Sequence, residues 1–441
     1  MKKRIFPWIF TAGVLLMSIV LVVGILFAGP AQAGANEVLS KAPQLKTKDG
    51  KFNDNFFGDT AAWINDHFFG RQELISIHNK TVSTAFGTSA ADDVILGSDG
   101  WLYYTSTLND YTGLEAMDTA DIQMAAHNLE LLQEYCHSQG REFAFVLAPN
   151  KNSLYPEYMP NYGIHNPSTN AKQLMEELDS RGVAYIDLFD VFSRQEEVLY
   201  FAHDSHWNSK GAALGADSIN AAFGVQSDYF GGDFSQKAPH AGDLYEMLYP
   251  SLTDSEQDAL YGGSLNFTYT SKATKPDSIT LETASDNQGS LLCYRDSFGN
   301  LLYPYLADSY GTCRFSRSVS YDLTQDGDCV LIELVERNIS YLCTNLPVMP
   351  APERTLPGLP KAADTTVIEN KSVKSPEGMF RVTGTLPEPA DPDSPVYVIC
   401  GNTAYEAFQL QDGGFGAYTP AEAEGIAFYT GGILHYYYNA K

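Results

Sequence analysis

Short apolar runs alternate with segments of helical periodicity through the middle of this chain, and this alternation limits the possible folds more than any other feature. The runs that predict buried strands are Phe143–Ala148, Val183–Ile186, Ser290–Tyr294 and Cys329–Val335. The segments that predict helices are 120–138, 169–181, 209–223 and Leu301–Ala307. Strand, helix and strand repeated in this order build a mostly parallel sheet with helices on both faces. The sequence therefore predicts an α/β fold.

Other segments predict smaller elements around that sheet. Residues 52–85 carry apolar residues at helical spacing and predict a helical segment that packs on the main domain. Asp93–Thr105 has two apolar runs around a turn at residues 98–100, which predicts a β-hairpin. Residues 225–275 are irregular and rich in Gly, Asp and Tyr. We expect them to form an excursion over the functional site.

Composition changes along the chain predict its division into domains. Five prolines fall within residues 347–364, and the residues that follow alternate between apolar and polar. The predicted order is a signal peptide or membrane anchor (1–33), a polar tether (34–51), an α/β catalytic domain (52–346), a proline-rich linker (347–364) and a small C-terminal β-rich domain (365–441).

The N-terminus predicts the compartment. Residues 2–4 are Lys-Lys-Arg, Ile5–Ala28 contains no charged residue, and the small-residue motif Ala31–Ala33 follows. Two interpretations of residues 1–33 stay open. One is a cleaved signal peptide, and the other is a membrane anchor, because the apolar stretch has the length of a membrane span. Either one puts the remaining chain outside the cytoplasm, since the positive charges stay inside.

The charge of the chain excludes several classes of partner. The formal net charge is −26, and without the three basic residues at positions 2–4 there are 25 Lys and Arg against 54 Asp and Glu, or −29. Such a surface repels nucleic acid and anionic lipid headgroups. It also disfavours a polyanionic polymer held by broad electrostatics. A neutral glycan, or local basic contacts inside a groove, agrees better with this charge.

The six cysteines are scattered and lack the spacing of a metal site. Cys293 and Cys329 fall in predicted strands, so we expect buried free thiols there. A disulfide between Cys313 and Cys343 stays open as an alternative, because an oxidising compartment permits it.

One predicted strand runs directly into a serine. Ser290–Tyr294 is followed by Asp296-Ser297, then Gly299 and a predicted helix. Ligands of open α/β sheets bind at the carboxyl ends of the strands, and the N–H groups at the start of the next helix can stabilise an oxyanion. Ser297 is therefore a candidate nucleophile. The structural alternative is that Asp296 and Ser297 only cap the helix.

A second short segment supplies the groups that a serine nucleophile needs. Asp204 and His206 are two residues apart, and Trp207 follows. A serine needs a base, and the base needs an orienting acid. A structural role for both residues stays open, as does a metal site made by His203, Asp204 and His206. No further cluster completes a coordination sphere, so we predict no metal.

At this point the chain resembles a known family, the DHHW-type proteins related to the alginate O-acetyltransferases AlgJ and AlgX. The resemblance covers about residues 52–345. The motifs that carry it are Phe68–Arg71, Gly97-Ser-Asp-Gly-Trp-Leu-Tyr103, Ala148-Pro-Asn-Lys151 with Tyr155-Pro-Glu157, Asp204-Ser-His-Trp207, Arg295-Asp-Ser-Phe-Gly299 and Glu336-Arg-Asn338. The resemblance implies an SGNH-hydrolase-like fold, with Ser297 as nucleophile, His206 as base and Asp204 as orienting acid.

The resemblance also implies an activity and partners. It implies an extracytoplasmic polysaccharide O-acetyltransferase that forms an acetyl-serine, needs no cofactor and receives acetyl groups from a multi-pass membrane acyltransferase. A carbohydrate acetylesterase uses the same residues and stays open. So does a non-catalytic glycan-binding or scaffold protein, which is favoured by one departure from the family: Arg295 replaces its Gly before Asp-Ser.

The remaining candidate residues have two interpretations each. The Ser297 N–H is the first choice as oxyanion donor, with Asn150 and Asn338 as weaker ones. Trp207 is either a sugar platform or, as we favour, a packing anchor for its loop. Lys151 and Arg337 either line the substrate groove or pair internally, and Arg295 either crowds the turn or places a cation near the site.

Overall fold

The computed structural model describes residues 2–28, 37–356, 367–368, 370–375, 378–388, 390–391 and 393–439. The predicted cleavage motif Ala31–Ala33 and residues 357–364 of the predicted linker lie outside the described residues. The helices are α1 (Lys2–Ala28), α2 (Phe56–His67), α3 (Arg71–Phe86), α4 (Leu108–Thr112), α5 (Thr119–Ser138), α6 (Lys151–Leu154), α7 (Asn170–Arg181), α8 (Leu188–Ser193), α9 (Ser209–Ala222), α10 (Asp243–Leu248) and α11 (Gly299–Ser309).

The strands belong to four sheets. They are β1 (Val94–Leu96), β2 (Leu102–Tyr104), β3 (Glu142–Ala148), β4 (Tyr185–Asp187), β5 (Gln236–Pro239), β6 (Gln257–Leu260), β7 (Phe267–Tyr269), β8 (Thr280–Ser285), β9 (Ser290–Tyr294), β10 (Thr312–Ser316), β11 (Cys329–Val335), β12 (Glu353–Arg354), β13 (Val367–Ile368), β14 (Asn370–Lys374), β15 (Phe380–Thr385), β16 (Val396–Cys400), β17 (Thr403–Leu410), β18 (Gly414–Thr419), β19 (Gly425–Thr430) and β20 (Ile433–Asn439).

The main sheet has the strand order β4-β3-β11-β9-β10-β8-β7. Pairing is parallel from β4 to β10 and antiparallel where β8 and β7 extend the sheet, so the sheet is mixed. The apolar runs that predicted strands form β3, β4, β9 and β11. The strands β7, β8 and β10 carried no sequence signal strong enough to predict them.

Helices cover both faces of this sheet, which explains why its strands are apolar throughout. Along β3, Phe143, Phe145 and Leu147 pack with α5 and α7, while Ala144 and Val146 face the opposite layer with α9 and α11. Alternate side chains of a strand point to opposite faces, so a strand between two helical layers is apolar at every position.

Caps fix where the helices begin and end. The Asp118 carboxylate accepts the Asp121 N–H at the start of α5, and Thr169 accepts the Lys172 N–H at the start of α7. Gly182 ends α7 in the left-handed conformation, with φ of 67°. Asn208 caps α9 through the Gly211 N–H at 3.0 Å, which fixes the chain immediately after the candidate base loop.

The C-terminal region is a nine-stranded sheet that is joined closely to the main domain. The proline-rich stretch predicted as a linker is packed in its first part: the Val348 N–H donates to Tyr321 O and the Ala351 N–H donates to Tyr418 O, both at 2.8 Å. The β12 strand then pairs with β17. Phe408 and Tyr418 lie in the same hydrophobic cluster as α5. The two sheets therefore share one apolar interface.

Two further expectations concern the termini and the cysteines. The window Trp8–Ile25 of α1 is long and apolar enough to cross a membrane by length and composition. All six cysteines are in described residues and are free, so the disulfide left open between Cys313 and Cys343 is not formed. Cys293 is buried and Cys329 is half-buried.

Candidate active site

The candidate nucleophile lies in the turn between β9 and α11, and the carboxylate before it fixes that turn. Asp296 Oδ1 accepts the Phe298 N–H at 2.9 Å. Its Oδ2 accepts the Val335 N–H at 2.8 Å and the Asn338 Nδ2–H at 3.0 Å, so the turn is attached to the end of β11. Ser297 remains partly exposed.

Arg295, the departure from the family pattern, lies beneath the turn rather than in the pocket. Its side chain is buried, and its guanidinium donates to Asn300 Oδ1 at 2.6 Å and to the Pro276 carbonyl at 2.5 Å. A Cβ on Gly299 would lie 2.4 Å from Arg295 Cδ, so a glycine is required where α11 begins. Arg295 therefore supports the helix and offers no cation to a substrate.

The candidate base and acid lie on a closed loop. Tyr200 and Trp207 form an antiparallel bridge across its ends, and the Phe201 N–H donates to His206 O at 3.3 Å. The Ala202 carbonyl accepts the Leu102 N–H of β2 at 2.8 Å, which attaches the loop to the predicted hairpin. The hairpin thus positions the loop.

Asp204, His206 and Ser297 form one hydrogen-bonded series. His206 Nδ1 lies 2.7 Å from Asp204 Oδ1, and His206 Nε2 lies 2.8 Å from Ser297 Oγ. With Asp204 ionised, Nδ1 carries the proton and Nε2 is the acceptor that faces the serine hydroxyl. Residues that are 91 positions apart in the chain are thereby placed in contact.

Asp204 is a buried carboxylate with four donors. Its Oδ1 accepts from the His206 ring and, at 2.9 Å, from the His206 N–H. Its Oδ2 accepts from His240 Nε2 at 2.9 Å and from the Asp243 N–H at 3.2 Å. Burial alone would raise the pKa of Asp204, but these donors outweigh it and hold the pKa well below its usual range.

The pKa of His206 is shifted in the opposite direction. Burial disfavours the imidazolium, but the hydrogen bond and the charge of Asp204 outweigh it and raise the pKa. Asp243 adds to this effect, and the cation of Arg337 opposes it. The arrangement favours an imidazole that accepts a proton readily.

Lys151 lies under the base loop and not in a groove. Its ammonium donates to the carbonyls of Phe201, Ala202 and Asp204 at 3.1, 3.0 and 2.6 Å. It also lies 5.5 Å from the ring centre of Trp101. Burial lowers the pKa of Lys151 to about 7, while the charge of Asp204 favours the ammonium. Lys151 thus holds the loop backbone from below.

Trp207 is fully buried, so it offers no face to a sugar. Its Nε1–H donates to Phe298 O at 3.0 Å, and its ring contacts Phe298 edge to face with centroids 5.1 Å apart. The packing interpretation therefore agrees with the geometry.

The other weaker candidates differ in whether their polar groups are engaged by other residues. The amide of Asn150 is buried and donates to Asp110 at 3.3 Å, and that of Asn338 is engaged by Asp296. Arg337 is different. Its guanidinium lies 5.5 Å from the ring centre of Phe298 and 5.6 Å from that of Tyr104, and no described residue forms an ion pair or hydrogen bond with it.

Sequence reasoning missed His240 and Asp243. Both come from the irregular excursion, 36 and 39 residues after the Asp204 that they contact. Asp243 also accepts the Ser205 hydroxyl at 2.6 Å. Neither residue belongs to a recognisable sequence motif, so their contact with Asp204 is apparent only in the tertiary structure.

Among the described residues, two groups of side chains have the composition of a metal site. His203 groups with Asp254 and Glu256, while Asp204 and His206 group with Asp243. The three residues of the metal alternative, His203, Asp204 and His206, are thus divided between two groups. The Glu256 carboxylate already accepts the Ala202 N–H at 2.6 Å and the His203 N–H at 2.9 Å, which indicates a structural role.

A serine at the end of a parallel strand, facing a histidine oriented by a carboxylate, has the arrangement of a candidate serine-enzyme site. Residues 94–287 match the family model described as "SGNH hydrolase-like domain, acetyltransferase AlgX", which confirms the resemblance seen in the sequence. The match ends before Ser297 and does not cover this serine, whose contact with His206 is an observation of the structure.

Individual proteins and solved structures are similar to parts of this chain. A 170-residue stretch is 26% identical to the probable alginate O-acetylase AlgJ of Pseudomonas syringae pv. tomato and covers 35% of this chain. The matched region spans 41% of that relative's length. Among solved structures, a DHHW family protein from Eubacterium siraeum is 16% identical, covering 51% of this chain and 90% of that chain, with a TM-score of 0.40. The O-acetyltransferase domain of Pseudomonas putida AlgJ is 17% identical, covering 57% and 93%, with a TM-score of 0.37.

Proposed function

We propose that this protein is an extracytoplasmic polysaccharide O-acetyltransferase that acts through an acetyl-serine at Ser297. The observation that supports it most directly is the hydrogen-bonded series from Asp204 through His206 to Ser297, with distances of 2.7 and 2.8 Å. The match to an acetyltransferase AlgX domain and the similarity to AlgJ favour acetyl transfer over other acyl chemistry.

The first half-reaction loads the serine. His206 Nε2 takes the Ser297 proton while Oγ bonds to the acetyl carbonyl carbon, which gives a tetrahedral oxyanion. The carbonyl then reforms, the bond to the donor's leaving group breaks, and His206 returns the proton to that group. Asp204 stabilises the imidazolium throughout and keeps Nδ1 as the donor nitrogen.

The second half-reaction transfers the acetyl group. A sugar hydroxyl gives its proton to His206 and attacks the acetyl-serine carbonyl. When this second intermediate collapses, the Ser297 Oγ leaves, regains a proton from His206, and the sugar carries the acetate ester. Water in place of the sugar makes the enzyme an esterase, so acceptor binding decides between transfer and hydrolysis.

Two groups are suited to stabilise the oxyanion. The Ser297 N–H has no hydrogen-bond acceptor among the described residues and lies at the start of α11. Arg337 adds a half-buried cation beside Phe298 that forms no direct ion pair with a described residue. Loss of one such donor lowers kcat by roughly 10²-fold to 10³-fold in serine enzymes.

The proposal includes a donor and a location. Residues 5–28 are long and apolar enough to direct or hold the chain at a membrane, which supports a site outside the cytoplasm. The resemblance to the AlgJ and AlgX family supports a multi-pass membrane acyltransferase as the source of the acetyl groups. The polysaccharide acceptor binds without broad electrostatics, because the exported chain is strongly acidic.

The test is intact-protein mass spectrometry of the full chain in detergent after exposure to p-nitrophenyl acetate, with nitrophenol release followed in parallel. We expect one acetyl adduct in the wild type and none in Ser297→Ala. Ser205→Ala is the matched control, because Ser205 Oγ lies 3.3 Å from His206 Nδ1 and is the other serine on that ring. The adduct persists in this control.

A second measurement separates transfer from hydrolysis. The acetylated protein is mixed with a neutral oligoglucan or an oligomannuronate, and acetylated sugar and free acetate are both measured. Acetylated sugar supports the transferase, and acetate alone indicates an esterase. Folded wild type that gives neither an adduct nor nitrophenol contradicts both enzymatic functions.

A further inference from the structure

His240 contacts the candidate acid on the side opposite His206. Its Nε2 lies 2.9 Å from Asp204 Oδ2, while His206 Nδ1 lies 2.7 Å from Oδ1. One carboxylate thus lies between two imidazoles, and each imidazole takes one of its oxygens.

The position of His240 is fixed by its surroundings. Its ring stacks on Phe201 with centroids 3.7 Å apart and an interplanar angle of 3°. The backbone N–H of His240 donates to the backbone carbonyl of Glu256 at 2.9 Å. His240 directly follows β5 and Glu256 directly precedes β6, and these two strands are paired. The Glu256 carboxylate in turn accepts the Ala202 and His203 N–H groups of the base loop. The segment 225–275 is therefore attached to the loop that carries Asp204 and His206 both through His240 and through Glu256.

We propose that His240 is a second histidine partner of Asp204, protonated in the resting enzyme, that sets the basicity of His206. It is a positioning residue, since it acts through Asp204 and touches no reacting atom. The kinetic part of this proposal rests on the proposed function.

The charges around His240 favour its imidazolium. The acidic groups that face it are Asp204, Glu246, Glu256 and Asp258. Lys151 is the basic group in contact with the same loop, on its carbonyls. Burial lowers the pKa of His240, but the hydrogen bond and the charge of Asp204 outweigh it and raise the pKa.

Two imidazoles that share one carboxylate compete for its charge. When His240 is protonated, part of the Asp204 charge is neutralised, and the imidazolium of His206 is stabilised less. The pKa of His206 is then lower than it would be with a neutral residue at position 240. His206 therefore stays unprotonated, and able to accept the serine proton, down to a lower pH.

The test is His240→Gln in the full chain, because glutamine keeps an N–H donor for Asp204 Oδ2 but carries no charge. We expect the acidic limb of kcat/KM for p-nitrophenyl acetate to move up by about one pH unit, with the rate at high pH retained. A limb that stays in place in folded His240→Gln contradicts the proposal. His203→Gln is the matched control: His203 is also paired with a carboxylate and equally exposed, at 24% of its side chain. We expect His203→Gln to leave the acidic limb of the kcat/KM profile at its wild-type pH.

A measurement without turnover separates this inference from the proposed function. Imidazole ¹⁵N shifts of histidine-labelled protein report the protonation of His240 and His206 whether or not Ser297 is acylated. A His240 ring that is protonated at neutral pH, with a His206 pKa that rises in His240→Gln, supports the inference even if no adduct forms. A His240 ring that is neutral at that pH in the wild type overturns it.

Discussion

Trp207 donates its indole N–H to the Phe298 carbonyl at 3.0 Å, and this buried bond joins the two halves of the candidate site. Trp207 immediately follows the candidate base His206, and Phe298 immediately follows the candidate nucleophile Ser297. The distance between base and nucleophile is therefore set by their neighbours in the chain, which are fully buried and in ring contact. Reactions of this kind are sensitive to displacements of about 1 Å.

Trp207→Phe tests this coupling. The variant keeps most of the apolar volume but leaves the buried Phe298 carbonyl without its donor. We expect the free energy of unfolding to fall by about 1–3 kcal/mol. We also expect the rate of Ser297 acetylation to fall by roughly 10²-fold, because the separation of His206 and Ser297 is no longer fixed. Denaturant unfolding and the burst of nitrophenol measure the two effects. The control is Trp63→Phe in α2, which leaves acetylation unchanged.

Asp204→Asn tests the role of the acid and the pH dependence together. The amide keeps the shape of the side chain but offers no charge to the imidazolium, so we expect kcat to fall by about 10⁴-fold. In the wild type, Asp204 raises the pKa of His206, and activity is lost as the pH falls through that raised value. In the variant the residual activity extends to lower pH. An acidic limb that moves upward would contradict this assignment.

Lys151→Met tests the support beneath the base loop. Three carbonyls lose a donor in this variant, two of them in buried contacts, and we expect the free energy of unfolding to fall by about 3 kcal/mol. The matched control is Lys172→Met on α7, whose side chain is 65% exposed, with an expected change within about 0.5 kcal/mol. Chemical denaturation compares the two, and equal stabilities would show that Lys151 does not hold the loop.

Glu406→Gln tests the contact between the C-terminal sheet and α5. The Glu406 side chain is 6% exposed and pairs with His127 at 2.9 Å and with Arg354. Removing its charge leaves both cations without this partner, so we expect a loss of about 3 kcal/mol at pH 6. Glu134→Gln is the control, since Glu134 binds the same Arg354 but is 43% exposed, and we expect less than about 1 kcal/mol.

The pH dependence of the Glu406→Gln effect has a definite sign. Burial opposes protonation of His127, but its bonds to Glu130 and Glu406 outweigh burial and raise the pKa. The stability from this pair is complete below the ordinary histidine pKa of about 6.5 and is lost as the pH rises through the raised value. The difference between wild type and variant therefore shrinks at alkaline pH. A difference that grows there would contradict this account.

Helical periodicity and apolar runs predicted the elements of the main sheet that are buried on both faces. The antiparallel strands β7 and β8 were not predicted, because their half-exposed sequences mix polar and apolar residues without a clear period. The proline-rich stretch shows a different limit. Its composition indicates a linker, but backbone hydrogen bonds to Tyr321 and Tyr418 fix its first part, and composition does not encode such partners.

What the sequence determined by itself was local: the strands and helices of the α/β core, and the motifs that make Asp204, His206 and Ser297 candidate site residues. What only the tertiary structure decided was which distant residues meet them. In the folded chain, His240 contacts Asp204, Arg295 binds Asn300 in α11, and Trp207 donates to the Phe298 carbonyl. Local periodicity follows from the backbone geometry of a few residues, whereas these contacts join positions far apart in the chain and depend on how whole layers pack.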